Sequence, residues 1–166
     1  MLRVFERYDE IDFSQLMDVY SQWNQENGAN LYPKMERNVQ KLYSEQDFYG
    51  FLQSFFKVRG AMYFVWIAEG RYVAALRVEP YQDGFLLEGL ETLPEERRKG
   101  YASCLVCAAI KYLHGRSSDR IYSHVRKDNL PSFELHDKCG FRIYKDHAVY
   151  IDGTYCTDSY TLIYSK

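Results

Sequence analysis

The sequence predicts a mixed α/β (α+β) fold: one twisted, mostly antiparallel sheet of about seven strands with helices against it. Two observations lead to this prediction. Strand-like apolar segments are separated from segments in which apolar residues recur at helical spacing. In the middle of the chain, short turns at Glu69-Gly70 and Asp83-Gly84 join three strand segments into an antiparallel meander. Only the strand-helix-strand unit around Gly100 requires a parallel crossover.

The N-terminal part predicts a strand and a capped helix. The segment from Leu2 to Arg7 is expected to form the first strand. Asp12 and Gln15 form an N-terminal capping pair, and the apolar residues that follow keep helical spacing. A first helix therefore begins at Asp12.

A second helical region is expected over residues 35–57. Gly28 and Pro33 break the helical pattern, which predicts a loop over residues 28–34. Ser44 and Asp47 have the spacing of a new N-cap, so we expect this helical region to be interrupted near Ser44.

The remaining elements complete a β-α-α-β-β-β-α-β-α-β-β order. The meander strands cover 61–68, 71–80 and 85–92, followed by a helix over 100–114, a strand over 120–125 and a helix over 130–139. A final hairpin joins 141–151 to 154–164 around Asp152-Gly153. No repeat, low-complexity segment or linker interrupts this order, so we expect a single domain over residues 1–166.

Composition gives no sign of nucleic-acid or membrane binding. The chain has 166 residues, 46% hydrophobic and 27% charged, with a net charge of -2. No apolar run approaches the roughly 18–20 residues that span a bilayer, and the charged start differs from a signal peptide. We therefore expect a cytoplasmic protein with no nucleic-acid or membrane partner. A homodimer stays an open alternative.

The four cysteines do not indicate a disulfide framework or a metal site. Cys104 and Cys107 form C-x-x-C, but they lie inside an apolar run with no second cysteine pair and no histidine set nearby. We interpret them as buried thiols and expect no metal.

A phosphate site is predicted between Leu90 and Ser103, where a strand, a basic turn and a helix start follow one another. A helix N-terminus leaves backbone N–H groups without partners and carries roughly half a positive charge. The basic residues 97–99 oppose the helix dipole, which is easier to explain if an anion binds there; the alternative is a solvated turn.

Two motifs support this prediction. The first is R-x-x-G-x-A at Arg97, Gly100 and Ala102, which fits the longer pattern V-x-P-x2-R-x2-G-x-G/A with Pro94 in place and Thr92 at the Val position. The second, V-x3-N-x2-A-x2-L-Y-x3-G-F, has Ser132 in place of Ala and His136 in place of Tyr, and is matched at Val125, Asn129, Leu135, Gly140 and Phe141. Both motifs and the element order resemble the GNAT superfamily of N-acetyltransferases.

The resemblance implies that the cofactor is acetyl-CoA. Its pantetheine arm would lie between two splayed parallel strands, at 85–92 and 120–125, and its pyrophosphate on backbone N–H groups at 98–103. The cofactor-binding residues expected from the resemblance are Leu90, Glu91, Thr92, Arg97, Arg98, Lys99, Gly100, Tyr101, Ala102, Ser103, Asn129 and Ser132.

Acyl transfer from a thioester to an amine requires a base for the amine and a proton for the thiolate. The resemblance places Glu88 at the general-base position, commonly acting through water, with Glu91 in reserve. Strand alternation sends Glu88, Leu90 and Thr92 to one side and Glu91 to the other, unless a bulge reverses this. The alternative for Glu88 is a surface carboxylate or a salt-bridge partner.

His136 stands where the resemblance expects the Tyr that acts as general acid. Its spacing from Asn129 and Ser132 puts the three on one stripe of the short helix. An imidazolium could protonate the thiolate. Equally, His136 is a partly exposed helix residue and the thiolate leaves unassisted. His124 lies on the strand beside the cofactor, from which it could reach the acceptor, but we expect an ordinary structural role for it.

The resemblance implies an acetyl-CoA-dependent N-acetyltransferase that acts on a primary amine of a small molecule or peptide by direct attack in a ternary complex. The alternative is a catalytically inactive acyl-CoA-binding regulatory module that lost its acid with the Tyr. Several side chains could form an aromatic and acidic acceptor pocket, although aromatic residues at helical spacing more often form core: Trp23, Glu26, Tyr32, Glu36, Tyr43 and Tyr49.

Overall fold

A computed structural model describes residues 1–116 and 120–164. Among these residues the strands are β1 (Leu2–Phe5), β2 (Met62–Ala68), β3 (Arg71–Tyr81), β4 (Gly84–Thr92), β5 (Arg120–Arg126), β6 (Arg142–Lys145), β7 (Ala148–Val149), β8 (Tyr155–Cys156) and β9 (Ser159–Tyr164). The α-helices are α1 (Phe13–Val19), α2 (Ser21–Leu31), α3 (Arg37–Phe55), α4 (Tyr101–Arg116) and α5 (Leu130–Lys138), and short 3-10 turns lie at Tyr8–Glu10 and Pro94–Glu96.

The strands of the main sheet have the order β1-β2-β3-β4-β5-β9-β6, and β7 pairs with β8 separately. Neighbours in the main sheet are antiparallel except β4 and β5, which are joined through α4 and run parallel. This arrangement confirms the predicted mixed α/β fold with a seven-stranded, mostly antiparallel sheet.

The two faces of the sheet carry separate cores. On one face, α4 packs its apolar residues, among them Leu105 and Ala109, against Phe64 and Leu76 of the central strands. On the other face, α1 and α3 cover Tyr63, Val65 and neighbouring residues. The α2 helix packs mainly on α3, and a cavity lies between these two helices and the β4 and β5 strands.

The capping prediction at Asp12 is confirmed, but two helix breaks were predicted wrongly. The Asp12 side chain accepts from the backbone N–H of Gln15. The α2 helix continues through Gly28. The glycine serves packing instead, since a Cβ there would lie 2.8 Å from the carbonyl oxygen of Gln40 and its absence lets α2 and α3 approach closely. The α3 helix is likewise uninterrupted, and Ser44 is buried within it.

Strand ends and cysteine burial also differ from the predictions. The first strand ends at Phe5, and the last predicted hairpin is divided into β6, β7, β8 and β9, with a turn at Asp152 whose side chain accepts from the N–H of Thr154. Cys104 and Cys107 are exposed rather than buried, because they lie on the outer side of α4.

Within the described ranges, no helix is both long and apolar enough to cross a membrane. Nor do three or more His, Cys, Asp or Glu side chains of residues 1–116 and 120–164 come together in an arrangement suited to a metal ion.

Candidate active site

The β4 and β5 strands separate halfway along their length. Their pairing runs from Gly84 with Arg120 to Leu87 with Ser123 and stops there. Just beyond, β4 bulges against β3: Glu88 pairs with Arg77 and Glu91 with Ala75, so β4 has one residue more than its partner. The strands therefore open into a wedge that leaves backbone groups of β4 facing the gap.

The bulge is centred on Gly89, whose φ is +59°. The phenol of Tyr20, at the start of α2, donates to the carbonyl oxygen of Gly89, and the hydroxyl of Tyr63 donates to Tyr20 at 2.9 Å. Burial raises the pKa of Tyr20 well above its usual value and that of Tyr63 to about 12, so both hydroxyls stay protonated. This buried chain of hydroxyls fixes the bulge to the helical layer.

Because of the bulge, Glu88 and Glu91 line the same cavity, and Leu90 packs against the opposite core. Strand alternation alone had predicted Glu91 on the opposite side. The extra residue at the bulge reverses the alternation, as the sequence reasoning allowed.

Glu88 is held between two side chains. Its Oε2 accepts from Nη2 of Arg77 at 3.0 Å, and its Oε1 lies 3.9 Å from Nδ1 of His124. The Glu88 side chain is 15% exposed, so this ion pair is largely removed from water. Burial lowers the pKa of Arg77, but attraction to Glu88, Tyr63 and Tyr20 and the hydrogen bond to Glu88 together outweigh it, so the pKa is raised.

Two cavities meet at this carboxylate. The larger, of about 630 Å³, lies under α2 and α3. The smaller, of about 170 Å³, lies between the splayed strands and α5. Glu88, Gly89 and His124 line both cavities. A group that enters from one side can therefore reach a group that enters from the other.

The smaller cavity is lined by Leu90 and by the three α5 residues predicted to share one face, Asn129, Ser132 and His136. The Asn129 side chain caps α5 by accepting from the N–H of Ser132 at 3.2 Å. The His136 side chain is buried rather than partly exposed, and its Nδ1 lies 2.8 Å from the carbonyl oxygen of Ser132. Because a carbonyl only accepts, Nδ1 carries the proton and Nε2 of the neutral ring has none. Burial lowers the pKa of His136.

At the mouth of the wedge, backbone N–H groups of residues 98–103 have no hydrogen-bond acceptor among the described residues. Arg98 and Gly100 have positive φ angles of 67° and 86°, which turn the chain into α4. Lys99 pairs with Glu96 at 2.8 Å. Tyr101, Ala102 and Ser103 form the first turn of α4. The loop has the geometry of an anion cradle.

Arg97 and Glu91 form a separate contact on the side of α2. Nη1 of Arg97 donates to Gln22 at 2.6 Å, and Nη2 lies 3.5 Å from Glu91. Burial raises the pKa of Glu91, and Arg97 partly opposes this. Thr92, paired with Ala74, accepts from Nε of Arg97 through its carbonyl oxygen at 3.3 Å.

The larger cavity includes only some of the aromatic residues considered from the sequence. Trp23 lines it, together with Phe48, Phe51 and Tyr150. The other tyrosines lie elsewhere: Tyr32 and Tyr43 pack on each other, and Tyr49 packs against Tyr8 and Phe13.

Sequence reasoning did not identify Tyr20, Arg77 or Gly89, and it gave His124 a structural role. Tyr20 was read only as an apolar position of the first helix. The pair Glu88-Gly89 carried a signal, since a glycine inside a strand often marks a bulge.

A family model described as the acetyltransferase (GNAT) family matches residues 16–141, well over half of the chain. The chain belongs to the GNAT family. A search of curated proteins found no match.

Solved structures of other acetyltransferases share this fold. The PaiA N-acetyltransferase of Thermoplasma acidophilum in complex with coenzyme A has a TM-score of 0.68 and 13% identity, with 100% of this chain and 99% of that chain covered. The aminoglycoside 6'-acetyltransferase type Ii gives 0.68 and 14%, covering 99% and 96%. The ribosomal-protein-alanine N-acetyltransferase of Brucella melitensis gives 0.63 and 16%, covering 100% and 99%. At these identities the likeness establishes the GNAT fold alone.

Proposed function

We propose that this GNAT protein is an acetyl-CoA-dependent N-acetyltransferase that transfers the acetyl group directly to an amine. The observation that carries the proposal is the meeting of two cavities at Glu88, Gly89 and His124, with an anion cradle at the start of α4, the helix whose Val106 lines the smaller cavity. One cavity takes the thioester and the other takes the acceptor.

The cofactor occupies the wedge between β4 and β5. Its pyrophosphate accepts from backbone N–H groups of residues 98–103, and the pantetheine arm runs along the unpaired edge of β4 at Leu90 and Thr92. Asn129 and Ser132 of α5 flank the arm. The coenzyme A complex of the Thermoplasma relative supports this choice of cofactor.

Glu88 is the carboxylate that supports deprotonation of the amine. It lies at the junction, and Arg77 fixes one oxygen while the other faces His124. Glu91, farther along the same cavity, stays the alternative base. In either case the amine must lose a proton to attack the thioester carbonyl.

The predicted acid role of His136 would require its imidazolium. The Nδ1 proton is donated to Ser132, and burial lowers the pKa, so the neutral ring has no proton at Nε2 to give. We propose that near neutral pH the thiolate leaves without a proton from His136 and that water supplies it.

The acceptor is a primary amine of a small molecule or of a peptide end. A cavity of about 630 Å³ falls in the range of small-ligand sites. Its wall combines aromatic rings, including Trp23 and Phe51, with carboxylates such as Asp47 and Glu91, a combination that suits a cationic amine attached to an apolar body.

The test is a thiol-release assay with acetyl-CoA and a panel of amines and short peptides. We expect turnover by the wild type, and a loss of about 10²-fold or more in Glu88→Gln. Calorimetry with acetyl-CoA on the same samples separates binding from transfer. Tight binding with no transfer to any amine would favour the inactive acyl-CoA-binding module, and no binding at all would refute the cofactor.

A further inference from the structure

His124 is a buried histidine at the junction of the two cavities. Its side chain is 2% exposed, and neither Nδ1 nor Nε2 has a hydrogen-bond partner among the described residues. A buried polar atom without a partner costs about 1–3 kcal/mol. Packing alone does not explain an imidazole here, because an apolar ring would fill the same space without that cost.

The surroundings of His124 complement a positive charge. The carboxylate of Glu88 on β4 is 3.9 Å from Nδ1. The rings of Tyr81 on β3 and Tyr150 after β7 pack edge-to-face with the imidazole, at centroid distances of 5.4 and 5.0 Å. Arg77 lies behind Glu88. A carboxylate and aromatic rings both stabilise a cation in a site with little water.

The ring is nevertheless uncharged at rest. Burial lowers the pKa of His124 below its usual 6.5, and Glu88 opposes only part of this effect. The neutral His124 ring can therefore accept a proton briefly, because its surroundings stabilise the charged imidazolium that forms.

We propose that His124 is the second proton acceptor of the transfer reaction and acts through Glu88, an inference that rests on the proposed function. As the amine nitrogen attacks the thioester carbonyl, the C–N bond forms and the C–S bond breaks. The proton of the amine passes to Oε1 of Glu88 and then, because Oε1 and Nδ1 are 3.9 Å apart, through one water molecule to Nδ1 of His124. The thiolate takes a proton from water, and His124 returns its proton to the solvent before the next turnover.

In this scheme His124 lines both cavities but exchanges its proton only with Glu88, so it acts as a positioning residue that supports the negative charge of Glu88. The carboxylate is regenerated within each turnover, beside an imidazolium that it stabilises. The arrangement follows the general logic of a buried carboxylate paired with a histidine, in which each group supports the charge of the other.

The test compares His124→Gln and Glu88→Gln with the control His147→Asn. His147 lies between β6 and β7 beside Asp146, outside both cavities. In the wild type and the control, we expect kcat/KM to fall as the pH drops through the pKa of His124, below 6.5. We expect His124→Gln to lack this limb and to turn over about 10²-fold more slowly at pH 7.5. Calorimetry with acetyl-CoA verifies that the variant is folded.

A second measurement does not depend on turnover. The ring resonances of His124, assigned by their loss in His124→Gln, report its pKa during an NMR titration. This pKa is expected below 6.5 in the wild type and lower still in Glu88→Gln, because the carboxylate raises it. A pKa above 6.5, or one that Glu88→Gln leaves unchanged, overturns the inference even if His124→Gln fails to fold.

The two proposals fail in different ways. If the wild type binds acetyl-CoA but acetylates no amine, the proposed function is wrong and the inference falls with it. If the wild type acetylates amines and His124→Gln keeps both kcat/KM and its pH profile, only the role of His124 is wrong.

Discussion

Replacing Gly89 with alanine tests whether the bulge of β4 holds the Glu88 carboxylate in place. A Cβ at this position would lie 2.5 Å from Nη1 of Arg77, so the guanidinium must move. The guanidinium is held by Glu88 at 3.0 Å and by the ring of Phe51, whose centroid is 5.0 Å from Cζ. A shift of Arg77 therefore weakens the contact that orients Glu88.

The expected loss has two parts. Alanine at a φ of +59° costs about 1–2 kcal/mol, because Cβ crowds the following carbonyl. Disturbing the charged hydrogen bond of Arg77 with Glu88 adds about 1.5–3 kcal/mol. For Gly89→Ala we expect the free energy of unfolding to fall by about 2.5–5 kcal/mol, the sum of the two parts, and acetyl transfer to fall at least about tenfold.

Gly70→Ala is the matched control. Gly70 has a φ of +76° in the turn between β2 and β3, and a Cβ there would meet no atom within 4 Å. This variant should lose only about 1–2 kcal/mol and keep its turnover. Urea unfolding followed by tryptophan fluorescence, together with the thiol-release assay, measures both effects. Equal losses of stability in the two variants, with turnover retained in both, would refute the steric argument.

Three further predictions use the same assays. Tyr20→Phe removes the hydroxyl between Tyr63 and the Gly89 carbonyl, so the free energy of unfolding should fall by about 1–3 kcal/mol and acetyl transfer should become slower. An unchanged free energy of unfolding and an unchanged transfer rate would show that the hydroxyl chain does not hold the bulge. His136→Phe should lose less than about tenfold in kcat at pH 7.5, and a loss near 10²-fold would instead assign His136 the acid role. The urea midpoint should fall as the pH drops below 6.5, because burial lowers the pKa values of His124 and His136 and the unfolded chain then binds protons that the folded chain does not. The fall should be smaller in His136→Phe, and an equal fall in this variant would contradict the explanation.

The elements with strong local signals were predictable from the sequence. The cap at Asp12 depends on a side chain three residues from its partner, and the meander turns depend on adjacent residues, so local patterns specify both. The break expected at Gly28 was wrong because its glycine serves a contact with α3, which no local pattern contains.

The sequence indicated the segments of the candidate site but not their arrangement. The loop at 98–103 leads into α4, and Asn129, Ser132 and His136 of α5 line one cavity, as their spacing indicates; their roles in binding stay a prediction. The bulge at Gly89 depends on Tyr20 and Arg77 from distant parts of the chain, and it decides which carboxylates face the larger cavity. The side chains that surround His124, namely Glu88, Tyr81 and Tyr150, likewise come from three separate strands or loops.

The helical wall of the larger cavity comes from residues 20–51, whereas the anion cradle and the smaller cavity come from residues 76–136. In the proposed function, the helical part of the acceptor cavity and the donor site are thus encoded by different stretches of polypeptide, although Glu91 and other residues of β4 and β5 also line the acceptor cavity. Substitutions in the first stretch can retune which amine is accepted while the donor half stays unaltered. For engineering, libraries confined to α2 and α3 are the economical route to new acceptors.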